Sequence, residues 1–377
     1  SIASSMITVA GLIFSLTLST LAQVSSQYTS RLLRNFMRDR TNQVVMGFFV
    51  GIFVYCLMVL RTIRGGDEGA FVPSIAVSFA LVLALVSIGM LIVFIHHIAS
   101  SIQAANVVAG AADETQKLLD KLFPKQIGRA AGSVEKSDLA TVAHLTWQPI
   151  AAPTSGYVRG LDDKKLLELA GDNNLVLRME QGIGSFAAQG APLVSVAAYD
   201  EGPTWRPSDD LSKHILSAYS LGNQRSLDQD FGFGLRQLVD IALKALSPGI
   251  NDTSTGVMCL DRLGALLALL TERDLGEPLR ADQERVRLVA RRPEFVNYVR
   301  LAFDQIRASS LENLAIYLRT FSALRTIGER TPRPDHHEVL REQAELGWAA
   351  AQQNLTNDYE LKQVRDRYEA LVRVLSQ

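Results

Sequence analysis

The sequence predicts a membrane α-helical protein in which transmembrane helices are followed by a small β-barrel or sandwich and an all-α helical bundle. Residues 1–104 carry only nine charged side chains, whereas residues 105–377 carry 32 basic and 36 acidic ones. The first part contains three uncharged runs long enough to cross a bilayer. The second part changes from short strand-like runs to helical periodicity near residue 207. These three observations exclude a fully soluble globule.

Three segments are predicted to span the membrane, at about residues 2–24, 44–60 and 73–95. No charged residue precedes Arg31, and about 20 residues at a rise of 1.5 Å cover a hydrocarbon core of about 30 Å. Pro73 is a suitable first-turn residue for the third span. Residues 1–104 are therefore expected to form a transmembrane domain.

The distribution of basic residues predicts how these spans are oriented. The loop between the first two spans contains Arg31, Arg34, Arg38 and Arg40 against one acid, Asp39. Because basic loops remain on the cytoplasmic side, everything after the third span is expected to be cytoplasmic. The chain begins with Ser at the edge of a span, so we expect further sequence upstream, with one additional span.

One face of the first span is lined by small and hydroxyl-bearing residues. At 100° per residue, its hydroxyl groups include those of Ser4, Thr8, Ser15 and Ser19. Hydroxyl groups in a bilayer need partners, so this hydroxyl stripe is expected to face protein or water. One interpretation is a packing seam between helices. The other is the wall of a water-filled pore, which these four residues would line.

A connecting region and a small β domain are predicted to follow the membrane part. In residues 105–145, the helix of the third span is expected to continue to Phe123, and a linker follows Pro124. Residues 146–206 contain short runs separated by Gly, Asn and Asp, which are typical of strands and turns.

The segment from Gly182 to Ala187 matches the dinucleotide-binding pattern G-x-G-x-x-G/A. That pattern binds a pyrophosphate only when a helix follows it. Here Gly190, Ala191 and Pro192 follow instead. We therefore expect a hairpin turn at this position and no cofactor.

Residues 207–377 are predicted to form a helical bundle with short connections. Ser208 or Asp209 is expected to begin a helix that Gly222 ends, and Ser309 with Glu312 forms a capping-box pattern. The further helices are expected at residues 234–246, 253–272, 311–327, 336–354 and 358–375.

A short stretch of this region is dense in polar and turn-forming residues. Six of them are candidates for a cytoplasmic polar cluster: Asp228, Asp230, Arg236, Asp240, Asn251 and Asp252. Helix capping explains part of this set, because Asp230 and Asp252 precede helix starts. The other interpretation is an ion network that either fixes the fold or lines a binding pocket.

Four strings of the sequence are distinctive. They are Arg31-Leu32-Leu33-Arg34-Asn35-Phe36, Phe94-Ile95-His96-His97-Ile98, Phe231-Gly232-Phe233-Gly234-Leu235-Arg236-Gln237-Leu238-Val239-Asp240-Ile241-Ala242 and Leu246-Ser247-Pro248-Gly249-Ile250-Asn251-Asp252. Together they resemble a large bacterial family of predicted membrane proteins, the domain of unknown function numbered twenty-two fifty-four. The resemblance covers essentially the whole chain. It implies a protein of the bacterial inner membrane with about four spans, and it implies no established activity and no catalytic residues.

Composition and motifs narrow the function classes further. A formal net charge of −1 argues against binding driven by nucleic-acid phosphates. No motif pairs a nucleophile with a base or gathers metal ligands, so we expect no enzymatic activity, cofactor or metal site. We expect a homo-oligomeric channel-like assembly with a cytoplasmic regulatory domain. The alternative is a non-transporting, membrane-anchored sensor or scaffold. The expected partners are the lipid bilayer and further copies of the chain, and the ligand is unknown.

Overall fold

A computed structural model describes residues 2–27, 40–63, 71–123, 142, 144–273, 275, 279–281 and 285–376. Three helices form the N-terminal part: α1 (Ile2–Gln27), α2 (Arg40–Thr62) and α3 (Ser74–Ser101). All three are long and apolar enough to cross a membrane. The basic loop predicted to set the orientation, at residues 31–39, lies outside the described residues, as does the linker predicted after Pro124.

Helix α1 packs mainly on α2, and α2 packs on α3. Met6 and Ile13 of α1 belong to the same apolar core as Phe49 and Ile52 of α2. The hydroxyl of Tyr55 on α2 donates a hydrogen bond to the carbonyl of Ala76 on α3, at 3.0 Å. Most of the remaining apolar side chains on these helices are exposed, as helices in contact with lipid require.

The connection from α3 to the soluble part is not one continuous helix, contrary to the prediction. Helix α3 ends at Ser101, and α4 (Ala104–Leu122) begins after Ile102 and Gln103. The side chain of Asn106 donates to the carbonyl of Ser100, at 2.7 Å, and so satisfies an acceptor at the end of α3. Helix α4 then buries Val108 and Leu119 in the core of the helical bundle.

The region after residue 147 contains two sheets. Its strands are β1 (Gln148–Ala151), β2 (Gly156–Leu161), β3 (Leu175–Met179), β4 (Phe186–Ala187), β5 (Pro192–Ala198), β6 (Tyr219–Gly222), β7 (Leu279–Ala281) and β8 (Val286–Val289). The larger sheet has the order β1-β5-β3-β8-β7, and the smaller has the order β4-β2-β6. Strands β3 and β8 are parallel, whereas every other pairing is antiparallel.

Three of these strands lie where the sequence predicted only helices. The predicted helix from Ser208 to Gly222 is wrong in its second half, because β6 pairs there with β2. Strands β7 and β8 add to the larger sheet from beyond residue 275. They are only three and four residues long, too short for a clear alternating pattern.

Helices make up the rest of the soluble part. They are α5 (Asp163–Asp172), α6 (Asp209–Leu216), α7 (Phe231–Ala245), α8 (Thr253–Thr271), α9 (Phe295–Ala308), α10 (Leu314–Gly328), α11 (Pro334–Asn354) and α12 (Asp358–Leu375). Helix α9 was not predicted. The expected capping box at Ser309 and Glu312 is also wrong, since Ser309 ends α9 and α10 begins at Leu314.

Helix α8 is a fourth segment that is long and apolar enough to cross a membrane. Of the most apolar 18 residues of this helix, 56% are buried inside the protein, against 17–28% in the other three helices. Its Asp261 forms an ion pair with Arg319 on α10. Protein packing therefore accounts for the apolar character of α8.

Candidate functional site

The hydroxyl stripe of α1 faces away from the other two described spans. The face that packs on α2 carries Ala3, Met6, Ala10 and Ile13. At 100° per residue, the stripe lies about 165° around the helix from that face. Its members Ser4, Thr8, Ser15 and Ser19 are all exposed. The stripe is thus not a packing seam between the described helices of one chain.

The hydroxyl of Thr8 donates to the carbonyl of Ser4, at 2.9 Å. This bond follows the i to i−4 pattern by which a helix satisfies its own hydroxyls. Gly11 lies on the same face, and a Cβ there would meet nothing within 4 Å. The stripe therefore leaves room for a further helix or for water.

Asp230 holds the centre of the predicted polar cluster. Its carboxylate accepts two hydrogen bonds from Arg225, at 2.7 and 2.9 Å, and one from the backbone N–H of Phe233, at 2.9 Å. This carboxylate thus caps α7 and neutralises a guanidinium in one arrangement. Its side chain is almost fully buried, whereas that of Arg225 is about a quarter exposed.

The loop matched by the dinucleotide pattern packs on this ion pair. Gly184 adopts a φ of +84°, a backbone conformation that favours glycine. A Cβ at Gly184 would lie 2.5 Å from Asp230 Oδ2 and 2.9 Å from a nitrogen of Arg225. The glycine is required by close packing, and a turn leading into β4 follows instead of a nucleotide-binding helix.

Three of the other predicted cluster residues form ion pairs that do not include Asp230. Asp228 pairs with Arg159 of β2 at 3.3 Å, and Arg236 pairs with Asp240 at 2.7 Å.

Beyond α7, Asp252 caps α8 by accepting from the N–H of Thr255 at 3.0 Å. Asn251 precedes it in the left-handed backbone region, at a φ of 50°. Among the six candidates, Asp230 is the one that lines a cavity between α4, the larger sheet and the helical bundle.

That cavity has a volume of about 230 Å³ and lies where three parts of the fold meet. Helix α4 contributes Lys121 and Phe123 at its C-terminal end, and the larger sheet contributes Met179 and Leu288. The other lining residues include Asp163 at the start of α5 and, from the helical bundle and the loops before it, Asp230, Phe231, Arg291, Arg292 and Tyr298. At about 30 Å³ for each water, the space would hold about eight water molecules.

Tyr298 gives this cavity a polar group without a protein partner. The residue is only 4% exposed, and its ring packs edge-on against Phe231 at 5.3 Å. Among the described residues, no side chain or backbone atom forms a hydrogen bond with its hydroxyl. Burial raises the pKa of Tyr298, and the nearby Asp230 carboxylate adds to the increase. The hydroxyl therefore stays protonated and is available as a donor to a molecule in the cavity.

Asp230 was identified from the sequence, but the other polar side chains that line the cavity were not. Lys121 sits at the end of a predicted helix with no special pattern, and Tyr298 belongs to the unpredicted α9. In the described part of the chain, no three His, Cys, Asp or Glu side chains are grouped closely enough to hold a metal ion.

Comparison with known proteins places the chain in a family. A family described as "Predicted membrane protein (DUF2254)" matches residues 1–326. Two relatives are the "Uncharacterized protein Rv1290c" of Mycobacterium tuberculosis and the "Uncharacterized protein Mb1321c" of Mycobacterium bovis. Each is 32% identical over 366 residues, which cover 95% of this chain and 68% of the relative. No solved structure matches the chain. The chain therefore belongs to the DUF2254 family of predicted membrane proteins.

Proposed function

We propose that this membrane protein forms a homo-oligomeric, channel-like assembly in the bacterial inner membrane, with a regulatory domain on the cytoplasmic side. The observation that supports this is the direction of the hydroxyl stripe on α1. Its four hydroxyl side chains point away from α2 and are not used in packing within the described chain. In this proposal the assembly is not an enzyme, and its partners are lipid and further copies of the chain.

The membrane environment explains why the stripe favours an assembly. Hydroxyl groups in a bilayer gain most when they meet another helix or water. Three described helices, of which α1 and α3 have little contact, enclose no lumen of their own. Several copies arranged with α1 towards a common axis would bring the stripes together around water.

Replacing Ser15 by Leu is expected to reduce or abolish the current through such an assembly. The larger apolar side chain would narrow the lumen and remove a hydroxyl from its wall. The measurement is planar-bilayer recording of the purified full-length protein. Ser78→Leu is the matched control, because Ser78 is also exposed but lies on α3. Equal currents in wild type and Ser15→Leu, or no current in any condition, would contradict the channel.

The position of the cavity supports the regulatory part of the proposal. Lys121 and Phe123 line it from the end of α4, and α4 begins two residues after α3. A molecule in the cavity would thus contact the helix that leads directly to the third span. A change in the packing of α4 would reach the membrane through Ile102 and Gln103.

The same cavity favours a second function, that of a sensor that binds a small ligand and transports nothing. Lys121, Arg291 and Arg292 supply positive charge at its wall, while Met179 and Leu288 supply apolar surface. A small organic anion with an apolar body fits both features. Two carboxylates also line the cavity. Asp230 is neutralised by Arg225, and the three basic side chains outnumber Asp163.

Ligand binding by the sensor is expected to require the hydroxyl of Tyr298 and the positive charge of Lys121. The measurement is thermal unfolding of the full-length protein with small carboxylates and phosphate monoesters, each beside its neutral amide or alcohol. Anions should raise the unfolding temperature of the wild type, and Lys121→Gln and Tyr298→Phe should reduce this rise. Lys117→Gln is the control, because Lys117 is exposed on α4 outside the cavity. An equal rise with the neutral analogues, or no rise with any compound, would contradict the sensor.

A further inference from the structure

The soluble part exposes a few large apolar side chains, and most of them lie at one end of the helical bundle. Among the described residues after position 104, the exposed ones are Phe186, Ile250, Leu311, Leu346 and Tyr359. Ile250 follows α7, Leu311 precedes α10 and Tyr359 begins α12. We call these three residues the apolar tip.

Hydrogen bonds and close contacts hold the three segments of the apolar tip together. The side chain of Asn313 donates to Thr253 at the start of α8, at 2.7 Å. The hydroxyl of Tyr317 donates to the carbonyl of Leu311 at 2.9 Å and accepts from Asn354 at the end of α11, at 3.4 Å. The loops before α8, α10 and α12 therefore lie side by side.

This end of the bundle lies level with the start of α4, where the chain leaves the third span. Phe123 at the far end of α4 packs on Phe231, the first residue of α7, with ring centroids 6.1 Å apart. Helix α7 thus runs antiparallel to α4. A Cβ at Gly234 would lie 2.6 Å from Cγ2 of Thr115, so the two helices are in contact there. Eleven residues after Gly234 is Ala245, the end of α7, and eleven residues before Thr115 is Ala104, the start of α4. These two helix ends are therefore on the same side of the bundle.

The contacts of α8 also place the apolar tip level with the start of α4. Arg273, just after α8, donates to the carbonyl of Phe123 at 3.2 Å and pairs with Asp120. The C-terminal ends of α8 and α4 are therefore level, and so are their starts, at Thr253 and Ala104. The apolar tip is thus at the height where the chain leaves α3.

Distance allows the tip to reach the bilayer. The predicted hydrocarbon segment of the third span ends at Ile95, nine residues before Ala104. At 1.5 Å per residue, this is about 14 Å for an upright helix. The headgroup layer covers about 5–7 Å of that distance. Ile250 and Leu311 each precede the first residue of their helix by three residues, so they lie closer to the membrane than the level of Ala104.

The backbone at two points of the tip is held in an unusual conformation. Leu311 has a φ of 44° and Asn251, next to Ile250, has a φ of 50°. A left-handed conformation costs a residue such as Leu roughly 1–2 kcal/mol. Leu311 is also 59% exposed, which is unusual for a leucine held in a strained loop.

We propose that the apolar tip inserts into the interface of the bilayer that the spans cross, so that the helical bundle rests on the membrane surface. Ile250 and Leu311 would enter the boundary between headgroups and acyl chains. Tyr359, which is 71% exposed, would sit at the headgroup level that tyrosine favours. This proposal is independent of whether the protein conducts ions or binds a ligand.

Nitroxide labels on the full-length protein in lipid nanodiscs test the proposal. Single cysteines replace Ile250, Leu311 or Tyr359. Leu346→Cys is the matched control, because Leu346 is 41% exposed, as Ile250 is 40% exposed, but lies along α11. The native Cys56 and Cys259 are buried, and burial raises the pKa of Cys259 well above its usual range, so neither thiol should take up label.

The measured quantity is the collision rate of each label with oxygen, which concentrates in lipid, relative to a water-soluble nickel complex. At the three tip positions this ratio is expected to be several-fold higher than at position 346. Equal ratios at all four positions would show that the tip is in water and would overturn the proposal. Tip labels shielded from both reagents would show a protein contact, such as a second copy, and would also overturn it.

Discussion

Replacing Gly234 by Ala is expected to lower the free energy of unfolding of the soluble part by about 2–3 kcal/mol, near the upper end of what overpacking usually costs. Helix α4 crosses α7 at this glycine. A Cβ there would lie 2.6 Å from Cγ2 and 2.9 Å from Cβ of Thr115, and it would also clash with Oγ1 of that residue. Thr115 is fully buried, so α4 would have to move away from α7.

The measurement is thermal or denaturant unfolding of the purified full-length protein. Gly110→Ala on α4 is the control, because a Cβ there meets nothing within 4 Å. It should be neutral or stabilising by up to about 1 kcal/mol, since Ala favours helix. Thr115→Ala removes two of the three clashing atoms, so it should restore part of the loss in the double variant. A Gly234→Ala protein as stable as the wild type would disprove the close crossing of these helices.

Replacing Asp230 by Asn is expected to cost about 2–4 kcal/mol, because it leaves the Arg225 guanidinium partly buried without its counter-ion. Asparagine is a good N-cap residue, so the hydrogen bond to the N–H of Phe233 should persist. The loss would therefore report the charge pair and not the cap. Gly184 packs directly on this pair, and its loop should become more accessible to hydrogen exchange.

The control for Asp230 is Asp335→Asn in an exposed pair. Asp335 and Arg333 are 2.9 Å apart, with side chains 61% and 57% exposed. Such a surface pair contributes about 0–1 kcal/mol. If both variants lost the same small amount of stability, the Arg225–Asp230 pair would not be the structural centre that its burial indicates.

Local chemistry made much of this fold predictable. The expected helix-start residues Ser208, Asp230 and Asp252 each accept a hydrogen bond from the N–H three residues further along the chain. The three N-terminal spans could be predicted from hydropathy, because each is a long apolar helix. These signals depend on neighbours within one or two helical turns, which the sequence displays directly.

Features that depend on distant partners were not predictable in the same way. Asp228 pairs with Arg159, which is 69 residues away, and nothing in the stretch around Asp228 indicates that partner. The six polar candidates looked like one cluster because they are close in sequence. In the structure they have different partners: Asp228 pairs with Arg159, Asp230 with Arg225 and Arg236 with Asp240. Helix α9 is a different case, since Phe295, Val299, Ala302 and Ile306 do recur at helical spacing and are buried.

The pairing of β3 with β8 has a consequence for synthesis. Leu177 of β3 lies beside Leu288 of β8, so about 110 further residues must leave the ribosome before the centre of the larger sheet is complete. At 5–20 residues per second, this takes roughly 5–20 seconds. During that interval the nascent chain is already tethered to the bilayer by α1, α2 and α3, with one edge of β3 unpaired. An unpaired strand edge can pair with another chain, so this interval is when the larger sheet is most open to incorrect pairing.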